Sequence, residues 1–183
     1  MNTRSECGKS RSVFDGGDVP MDDAVRFSLA QDGDAKTISA LRHVIWGTTY
    51  RGIYPDDAID GFDLRWHTQR DLARIRDPHM RVYLIRFADM PIGYFSLETT
   101  DPVYIGSLYV LEGYQRRGIG RRAFMIAEQY CAERGIPKYY CNCNAHNYPA
   151  QAFYHAMGGV IIKQDTGHEN KQEDQLTFAF KVS

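Results

Sequence analysis

The chain has 183 residues, of which 43% are hydrophobic and 25% charged, and its formal net charge at pH 7 is -1. This composition predicts one globular domain, and a charge so close to zero argues against general electrostatic binding to nucleic acid or to an anionic membrane. No apolar run is long enough for a membrane-spanning helix.

The first 23 residues are polar and rich in glycine, serine and charge. They predict a flexible leader in front of a domain that spans residues 24–183. They lack the apolar core of a signal peptide, so the expected location is the cytoplasm. Free thiols are expected, because the cysteines are too few and too irregularly spaced for a disulfide framework. The cysteines are Cys7, Cys131, Cys141 and Cys143.

The first third of the chain predicts a strand followed by helices. The strand covers residues 25–29. A helix is predicted over residues 35–48, where apolar residues recur on one face. A second helical region begins at the acidic segment from Asp56, because carboxylates are favoured at a helix N-terminus. It is expected to run to about residue 76, shortly before Pro78.

The rest of the chain predicts a sheet that two more helices interrupt. Three strands joined by short connections are expected to pair antiparallel, and the long helix after them allows a parallel return strand. The predicted strands are 81–87, 92–99, 103–111, 139–143, 160–163 and 176–182, and the predicted helices are 119–134 and 149–157. The fold class is therefore α+β, with a mixed, mostly antiparallel sheet of six to seven strands and about four helices.

The segment of residues 115–121 lies between a predicted strand and the long helix. The N–H groups at a helix start have no partner within the helix, and the helix dipole adds partial positive charge. Gly118 and Gly120 let the backbone approach an anion with no Cβ in the way. Arg116, Arg117 and Arg121 surround the turn. These features predict a phosphate-binding turn; the alternative is a surface loop with solvated arginines.

Two phosphate-binding patterns are missing from the chain. Without G-x-x-x-x-G-K-[ST] a nucleotide triphosphatase is not expected, and without G-x-G-x-x-G a dinucleotide-binding fold is not supported. Residues 115–120 read Q-R-R-G-I-G, and L-Y-V precedes them at residues 108–110. This combination resembles motif A of the GCN5-related N-acetyltransferase (GNAT) superfamily, Q/R-x-x-G-x-G/A.

A second segment, residues 147–159, strengthens this resemblance. It is similar to the family pattern N-x-x-A-x-x-F/L-Y-x-x-x-G-F, with Gly159 in place of the usual aromatic residue. The order of elements also matches, and the likeness covers residues 24–182. The resemblance implies the layered α/β/α fold of the superfamily, acetyl-CoA as the donor and an amine as the acceptor.

The resemblance also implies which residues bind the donor. The family pattern places the backbone of residues 108–110 against the pantetheine arm and the N–H groups of residues 116–121 around the pyrophosphate. A free N–H near Val110 could also stabilise an oxyanion. Asn147 would bind the pantetheine or cap a helix. The implied cofactor-binding residues are Leu108, Tyr109, Val110, Gln115, Arg116, Arg117, Gly118, Ile119, Gly120, Arg121 and Asn147.

Tyr154 matches the superfamily tyrosine that gives a proton to the departing CoA thiolate, and a phenol stays protonated at neutral pH. The alternative is a core aromatic residue. The carboxylate that many members use as general base is missing, because Tyr104 and Asn142 occupy its two usual positions. Glu98 is the nearest replacement, acting directly or through a water; the alternative is an exposed residue at a strand end.

Trp46, Tyr50 and Tyr54 follow one another closely after the first predicted helix. In the superfamily the first two helices wall the acceptor pocket, so these residues and Tyr104 are candidates for the substrate pocket. Aromatic faces can hold a cationic amine, but hydrophobic packing of the corner between the helices explains the cluster equally well.

The predicted function is direct transfer of an acetyl group from acetyl-CoA to a primary amine of a small molecule or peptide. A non-catalytic acyl-CoA-binding regulatory module is the alternative, favoured by the missing carboxylate at Tyr104. No metal is expected, because Cys141, Cys143 and His146 do not make a closed zinc site. No nucleic-acid or membrane partner is expected, and a C-terminal strand with exposed aromatic residues would allow a homodimer.

Overall fold

A computed structural model describes residues 24–182; the predicted leader at residues 1–23 lies outside this range. The strands are β1 (Val25–Leu29), β2 (Met80–Phe87), β3 (Met90–Glu98), β4 (Tyr104–Val110), β5 (Lys138–Asn144), β6 (Val160–Asp165) and β7 (Gln175–Lys181). The α-helices are α1 (Ala35–Thr49), α2 (Asp56–Asp60), α3 (Leu64–Arg76), α4 (Ile119–Ala132) and α5 (Tyr148–Ala156). Each strand and most helix ends lie within two residues of the prediction.

The helical region predicted from Asp56 to about residue 76 consists of two helices. α2 ends at Asp60, and α3 begins at Leu64. The Oδ1 atom of Asp63 accepts a hydrogen bond from the backbone N–H of Trp66 (3.0 Å) and so caps the start of α3. A side-chain cap of this kind satisfies a helix-start N–H and marks a new helix.

The described strands form a seven-stranded sheet in the order β1-β2-β3-β4-β5-β7-β6, within the predicted range. All neighbouring strands are antiparallel except β4 and β5, which are parallel. The β4–β5 ladder consists only of Tyr104 opposite Tyr140 and Ile105 opposite Cys141. Both strands continue past these pairs, but no further residue of β4 pairs with a residue of β5. The strands therefore separate after Ile105, and we call the opening the β4–β5 gap.

A β-bulge in β4 coincides with the start of this gap. Ser96 of β3 lies opposite Ser107, whereas Leu97 lies opposite Ile105, so Gly106 is the extra residue in β4. A bulge bends its strand and increases the local twist. The bend therefore occurs where β4 leaves β5.

Helices cover both faces of the sheet, which confirms the layered α/β/α architecture. α4 and α5 pack on one face around a large apolar cluster that includes Phe95, Phe124 and Phe178. On the other face, α1 and α3 pack around a smaller cluster that includes Ile38 and Leu84. We refer to these as the α4 face and the α1 face. Within residues 24–182, none of the helices combines the length and apolarity that a membrane span needs.

The helix after the turn has the apolar stripe that the sequence predicts. Ile119, Ala123, Ala127 and Cys131 are buried on one side of α4. Their spacing of three or four residues places them on the face that meets the sheet. Gly135, with φ of +66°, follows the helix as expected for a left-handed residue after a helix end. This packing fixes the position of the turn relative to the β4–β5 gap.

Candidate active site

The turn before α4 has the backbone geometry of an anion site. Arg116 and Gly118 adopt positive φ values of 62° and 80°. The first hydrogen bond of α4 runs from the N–H of Arg122 to the carbonyl of Gly118 (3.1 Å), so the N–H groups of residues 119–121 precede the helical ladder. Such N–H groups at the positive end of a helix dipole can bind a phosphate.

The side chain of Gln115 holds this turn against the end of β4. Its Nε2 donates a hydrogen bond to the backbone carbonyl of Val110 (2.9 Å). The contact occupies an acceptor near the β4–β5 gap and fixes the path of the chain into the turn. Gln115 thus has a structural partner, whereas its contact with a cofactor stays a prediction.

Glycine is favoured at the two glycine positions of the motif for different physical reasons. Gly118 has open space around its Cβ position, and its φ of 80° favours glycine. A Cβ on Gly120 would lie only 2.8 Å from Cζ of Phe153. The missing side chain at Gly120 therefore makes room for Phe153 of α5, and the approach of an anion to this glycine stays a prediction.

Tyr154 lies beside the β4–β5 gap. Its side chain is buried and packs against Phe124 and Phe178, with ring centroids 6.0 and 5.3 Å away. Burial raises the pKa of Tyr154 well above its usual range, and neighbouring groups on both separated strands, Cys141 of β5 and Tyr109 of β4, raise it further. The Tyr154 hydroxyl is therefore a protonated group between the two strands at neutral pH.

The two thiols on β5 remain protonated as well. Burial raises the pKa of Cys141 and of Cys143 to about 12. A thiol is a poor nucleophile in this form. The sulfur atoms therefore fill space beside Tyr154, and they are not suited to covalent catalysis.

Asn147 caps the helix that carries Tyr154. Its Oδ1 accepts a hydrogen bond from the backbone N–H of Ala150 (3.2 Å) at the start of α5. The capping role inferred from the sequence is confirmed, and the proposed contact with pantetheine stays a prediction.

Three of the four predicted pocket residues come together on the α1 face. The rings of Tyr50 and Tyr54 stack with centroids 4.3 Å apart, and Trp46 meets them edge-on at 5.7 and 5.9 Å. The hydroxyls of Tyr50 and Tyr109 are 2.9 Å apart, which joins this aromatic wall to β4. Burial raises the pKa of Tyr54 to about 12 and that of Tyr50 further, so both phenols stay neutral.

Tyr104 lies elsewhere, at the closed end of the β4–β5 gap. Its ring packs against Tyr140 with centroids 5.4 Å apart. These two residues also form one of the last β4–β5 pairs. Tyr104 therefore does not share ring contacts with the aromatic wall, although it stays close to the point where the strands separate.

A cavity of about 880 Å³ opens next to the aromatic wall. It lies between the loop of residues 52–56 and the loop of residues 168–173, and Tyr54 lines it. The second loop is held by Asp174, whose carboxylate pairs with Nε2 of His146 (2.7 Å) and Nδ1 of His168 (2.8 Å). The hydrogen bonds from these histidines lower the pKa of Asp174.

A buried ion pair that the sequence reasoning missed joins the elements of this wall. Arg42 of α1 donates two hydrogen bonds to Asp71 of α3 (2.9 and 2.8 Å), and Ser39 donates a third (2.7 Å). The Nε of Arg42 also donates to the hydroxyl of Tyr94 in β3 (2.9 Å). A charged residue between Ile38 and Ile45 on the buried helix face was the available signal, because a buried charge requires a partner.

His67 is a second missed member of the wall. Its ring stacks on Phe62 at 3.9 Å and meets Trp46 edge-on at 5.8 Å. Burial lowers the pKa of His67, and the charges of Arg42 and Arg70 lower it further. Among the described residues, the buried Nδ1 of His67 and Nε1 of Trp46 have no hydrogen-bond partner.

Glu98, the predicted general base, lies on the α1 face beside the bulge. Its Oε1 is 3.8 Å from Nη2 of Arg74 in α3, and that nitrogen donates a hydrogen bond to Oγ of Ser96 (3.1 Å). The side chain of Glu98 is 43% exposed, so it is partly open to solvent. Within residues 24–182, no group of three or more His, Cys, Asp or Glu side chains is arranged to hold a metal ion.

Comparisons with known proteins agree with this geometry. The model of the acetyltransferase (GNAT) family matches residues 40–158. A search of curated proteins by sequence found no significant match. Among solved structures, the PaiA N-acetyltransferase from Thermoplasma acidophilum in complex with coenzyme A is similar, with a TM-score of 0.74 at 19% identity over 86% of this chain and 98% of that one.

Two other similar structures come from different organisms. Naa50 of Arabidopsis thaliana, in complex with a bisubstrate analogue, has a TM-score of 0.60 at 19% identity and covers 86% of this chain and 98% of its own. A Salmonella typhimurium acetyltransferase that modifies the N-terminal serine of ribosomal protein L7/L12 has a TM-score of 0.67 at 15% identity. The match covers 90% of this chain and 98% of that one. At these identities the likeness shows the fold.

Proposed function

The chain belongs to the acetyltransferase (GNAT) family, and from this premise we propose that it transfers the acetyl group of acetyl-CoA to a primary amine by direct attack. The observation that carries the proposal is the β4–β5 gap, which has an anion-binding turn at the start of α4 and a protonated phenol, Tyr154, beside it. A thioester in the gap would lie between the separated strands.

The donor half of the site is made mainly of backbone. N–H groups of residues 116–121 bind the pyrophosphate at the start of α4. β4 does not pair with β5 beyond Ile105, so its free edge can hydrogen-bond the amides of the pantetheine arm as an added strand would. Leu108 and Val110 supply that edge. The turn and the free strand edge together therefore favour an extended donor that carries both phosphate and amide groups over a small phosphate ligand without amides.

The chemical step uses one acid and one base. The neutral amine attacks the thioester carbonyl, a C–N bond forms, and a backbone N–H near Val110 stabilises the oxyanion. The C–S bond then breaks, and Tyr154 gives its proton to the thiolate of CoA. Glu98 accepts the proton that the amine nitrogen loses, directly or through a water. The raised pKa of Tyr154 keeps its proton in place until the thiolate develops.

The acceptor approaches from the α1 face. Tyr54 of the aromatic wall lines the cavity of about 880 Å³, and the wall of Trp46, Tyr50 and Tyr54 can hold an amine by its cationic or apolar parts. The solved relatives include an enzyme that modifies a protein N-terminus, so a peptide remains a substrate class beside a small amine. A non-catalytic acyl-CoA-binding module is the second candidate, because Tyr104 stands where many members carry a carboxylate.

The test is CoA release from acetyl-CoA with a panel of diamines, amino acids and short peptides. We expect at least one amine to give turnover, and Tyr154→Phe to lower kcat by about 10²-fold or more without changing acetyl-CoA binding in calorimetry. Binding without turnover for every amine would support the non-catalytic module. An unchanged rate for Tyr154→Phe would remove Tyr154 from the mechanism.

A further inference from the structure

The bulge residue Gly106 creates a small space that two charged side chains fill. A Cβ on Gly106 would lie 2.7 Å from Oε1 of Glu98, 3.0 Å from Nη2 of Arg74 and 3.2 Å from Oγ of Ser96. All three distances are shorter than ordinary contacts to a Cβ. The carboxylate and the guanidinium therefore lie directly against the backbone of β4, and only glycine leaves room for them there.

Arg74 limits the positions that the Glu98 carboxylate can take. Its Nη2 donates a hydrogen bond to Ser96 (3.1 Å), and this bond directs the guanidinium towards Oε1 of Glu98 at 3.8 Å. The side chain of Arg74 is 22% exposed and that of Glu98 is 43% exposed. The arginine is thus fixed between α3 and β3, while the carboxylate keeps an open side.

Gly106, Arg74 and Glu98 lie at the start of the β4–β5 gap, and this location suggests their role. Gly106 directly follows Ile105, the last residue of β4 that pairs with β5. Arg74 belongs to α3, so the Glu98 carboxylate lies on the α1 face. Tyr154 belongs to the cluster on the α4 face. This division suits direct attack, because it keeps the base that accepts the amine proton apart from the acid that protonates the thiolate.

We infer that Gly106 and Arg74 are positioning residues that hold Glu98 at the start of the β4–β5 gap, where it accepts the proton of the acceptor amine. The inference rests on the proposed acetyltransferase function. Gly106 contributes space, and Arg74 contributes a fixed positive charge beside the carboxylate. The two residues act on the reaction only through Glu98.

Gly106→Ala provides a clean test, because the atoms that its methyl group would meet are the ends of flexible side chains. The side chains can move away at little cost in stability, but Glu98 then leaves its position. We expect kcat to fall at least about tenfold, since a displacement near 1 Å can cost this much. The unfolding midpoint and the acetyl-CoA Kd should stay close to those of the wild type. Gly33→Ala, in open space, is the control.

A double-mutant cycle separates positioning from plain structural support. Arg74→Met should lower kcat, and Arg74→Lys should restore part of it. In a Glu98→Gln background, Gly106→Ala and Arg74→Met should cause no further loss, because the group they position is already inactive. Arg76→Met is the matched control, since Arg76 lies on the same helix and pairs with Asp32 instead (2.7 Å).

The outcomes distinguish the inference from the function on which it rests. A wild type without turnover for any amine overturns both. An active wild type whose kcat is unchanged by Gly106→Ala and Arg74→Met overturns the inference alone. Losses that add fully to that of Glu98→Gln also overturn it, because they would show that the two residues act independently of the carboxylate.

Discussion

The two sides of the β4–β5 gap are built from different parts of the chain. The turn proposed to bind the donor occupies residues 115–121 and offers mainly backbone N–H groups. The wall proposed to face the acceptor is made of side chains that lie far apart in sequence. Tyr50 and Tyr109, for example, are separated by 59 positions, and Arg42 and Asp71 by 29. A backbone site can be recognised as a local motif, whereas a side-chain site depends on tertiary packing.

If buried side-chain pairs hold the acceptor side, removing one partner should have the largest effect on stability. Asp71→Ala leaves the guanidinium of Arg42, which is only 2% exposed, without its carboxylate. We expect a loss of about 3–5 kcal/mol in the free energy of unfolding, because a buried unpaired charge is costly. Denaturant unfolding measures it.

Asp56→Ala is the matched control, because Asp56 pairs with Arg51 at the surface and its side chain is 75% exposed. Its effect should be far smaller. Equal effects of Asp71→Ala and Asp56→Ala would contradict the view that the Arg42–Asp71 pair holds the acceptor wall together.

On the donor side, the packing of α4 against α5 should show the next largest effect. Gly120→Ala places a methyl group against the ring of Phe153, and overpacking of this kind costs about 1–3 kcal/mol. Thermal unfolding measures the loss, and Phe153→Leu in the same chain should recover part of it. Gly47→Ala, a helix glycine with open space, should not destabilise the protein. Absence of recovery by Phe153→Leu would show that the glycine serves another purpose.

The backbone nature of the donor site predicts modest effects of single arginines. Arg121→Ala removes an exposed side chain but leaves the N–H groups of the turn. We expect the Kd for CoA to rise less than about tenfold, with a weaker salt dependence of binding. Calorimetry at two salt concentrations measures both, with Arg65→Ala in α3 as the control. A loss of a hundredfold or more would mean that arginine side chains carry the donor site.

The smallest expected effect concerns the loop beside the cavity. A hydrogen bond with Asp174 raises the pKa of His168, and the charges of nearby carboxylates raise it further. Because the pKa of His168 is raised in the folded protein, the stabilisation from its pair with Asp174 is complete below a pH of about 6.5. It is lost as the pH rises through the folded-state pKa of His168. The unfolding midpoint should therefore fall above that pH, and His168→Gln should remove part of the fall. The same pH dependence in His168→Gln would exclude this pair as its source.

The fold and the turn before α4 could be predicted from the sequence because both have local signals. Helix and strand periods marked the elements, and two motifs with fixed spacing marked the turn and α5. Sequence reasoning missed contacts between distant segments, such as the one at Gly120, whose missing side chain accommodates Phe153. The division between α2 and α3, where Asp63 caps the start of α3, was missed.

The acceptor side was only partly predictable for the same reason. The cluster of Trp46, Tyr50 and Tyr54 was found because these residues are close in sequence, but His67 joins it through α3. Gly106 offered one usable signal, since an isolated glycine inside a strand suggests a bulge. No local sequence signal indicated that the side chains of Glu98 and Arg74 would meet at Gly106.

The most direct test of the account is a crystal structure of the protein with CoA bound. We predict the pyrophosphate on the N–H groups of residues 116–121, the pantetheine along β4, and the sulfur in the β4–β5 gap within hydrogen-bond distance of the Tyr154 hydroxyl. Glu98 should then face the sulfur region from the α1 face. A CoA molecule whose sulfur lies outside the gap, or away from Tyr154, would contradict the proposed site.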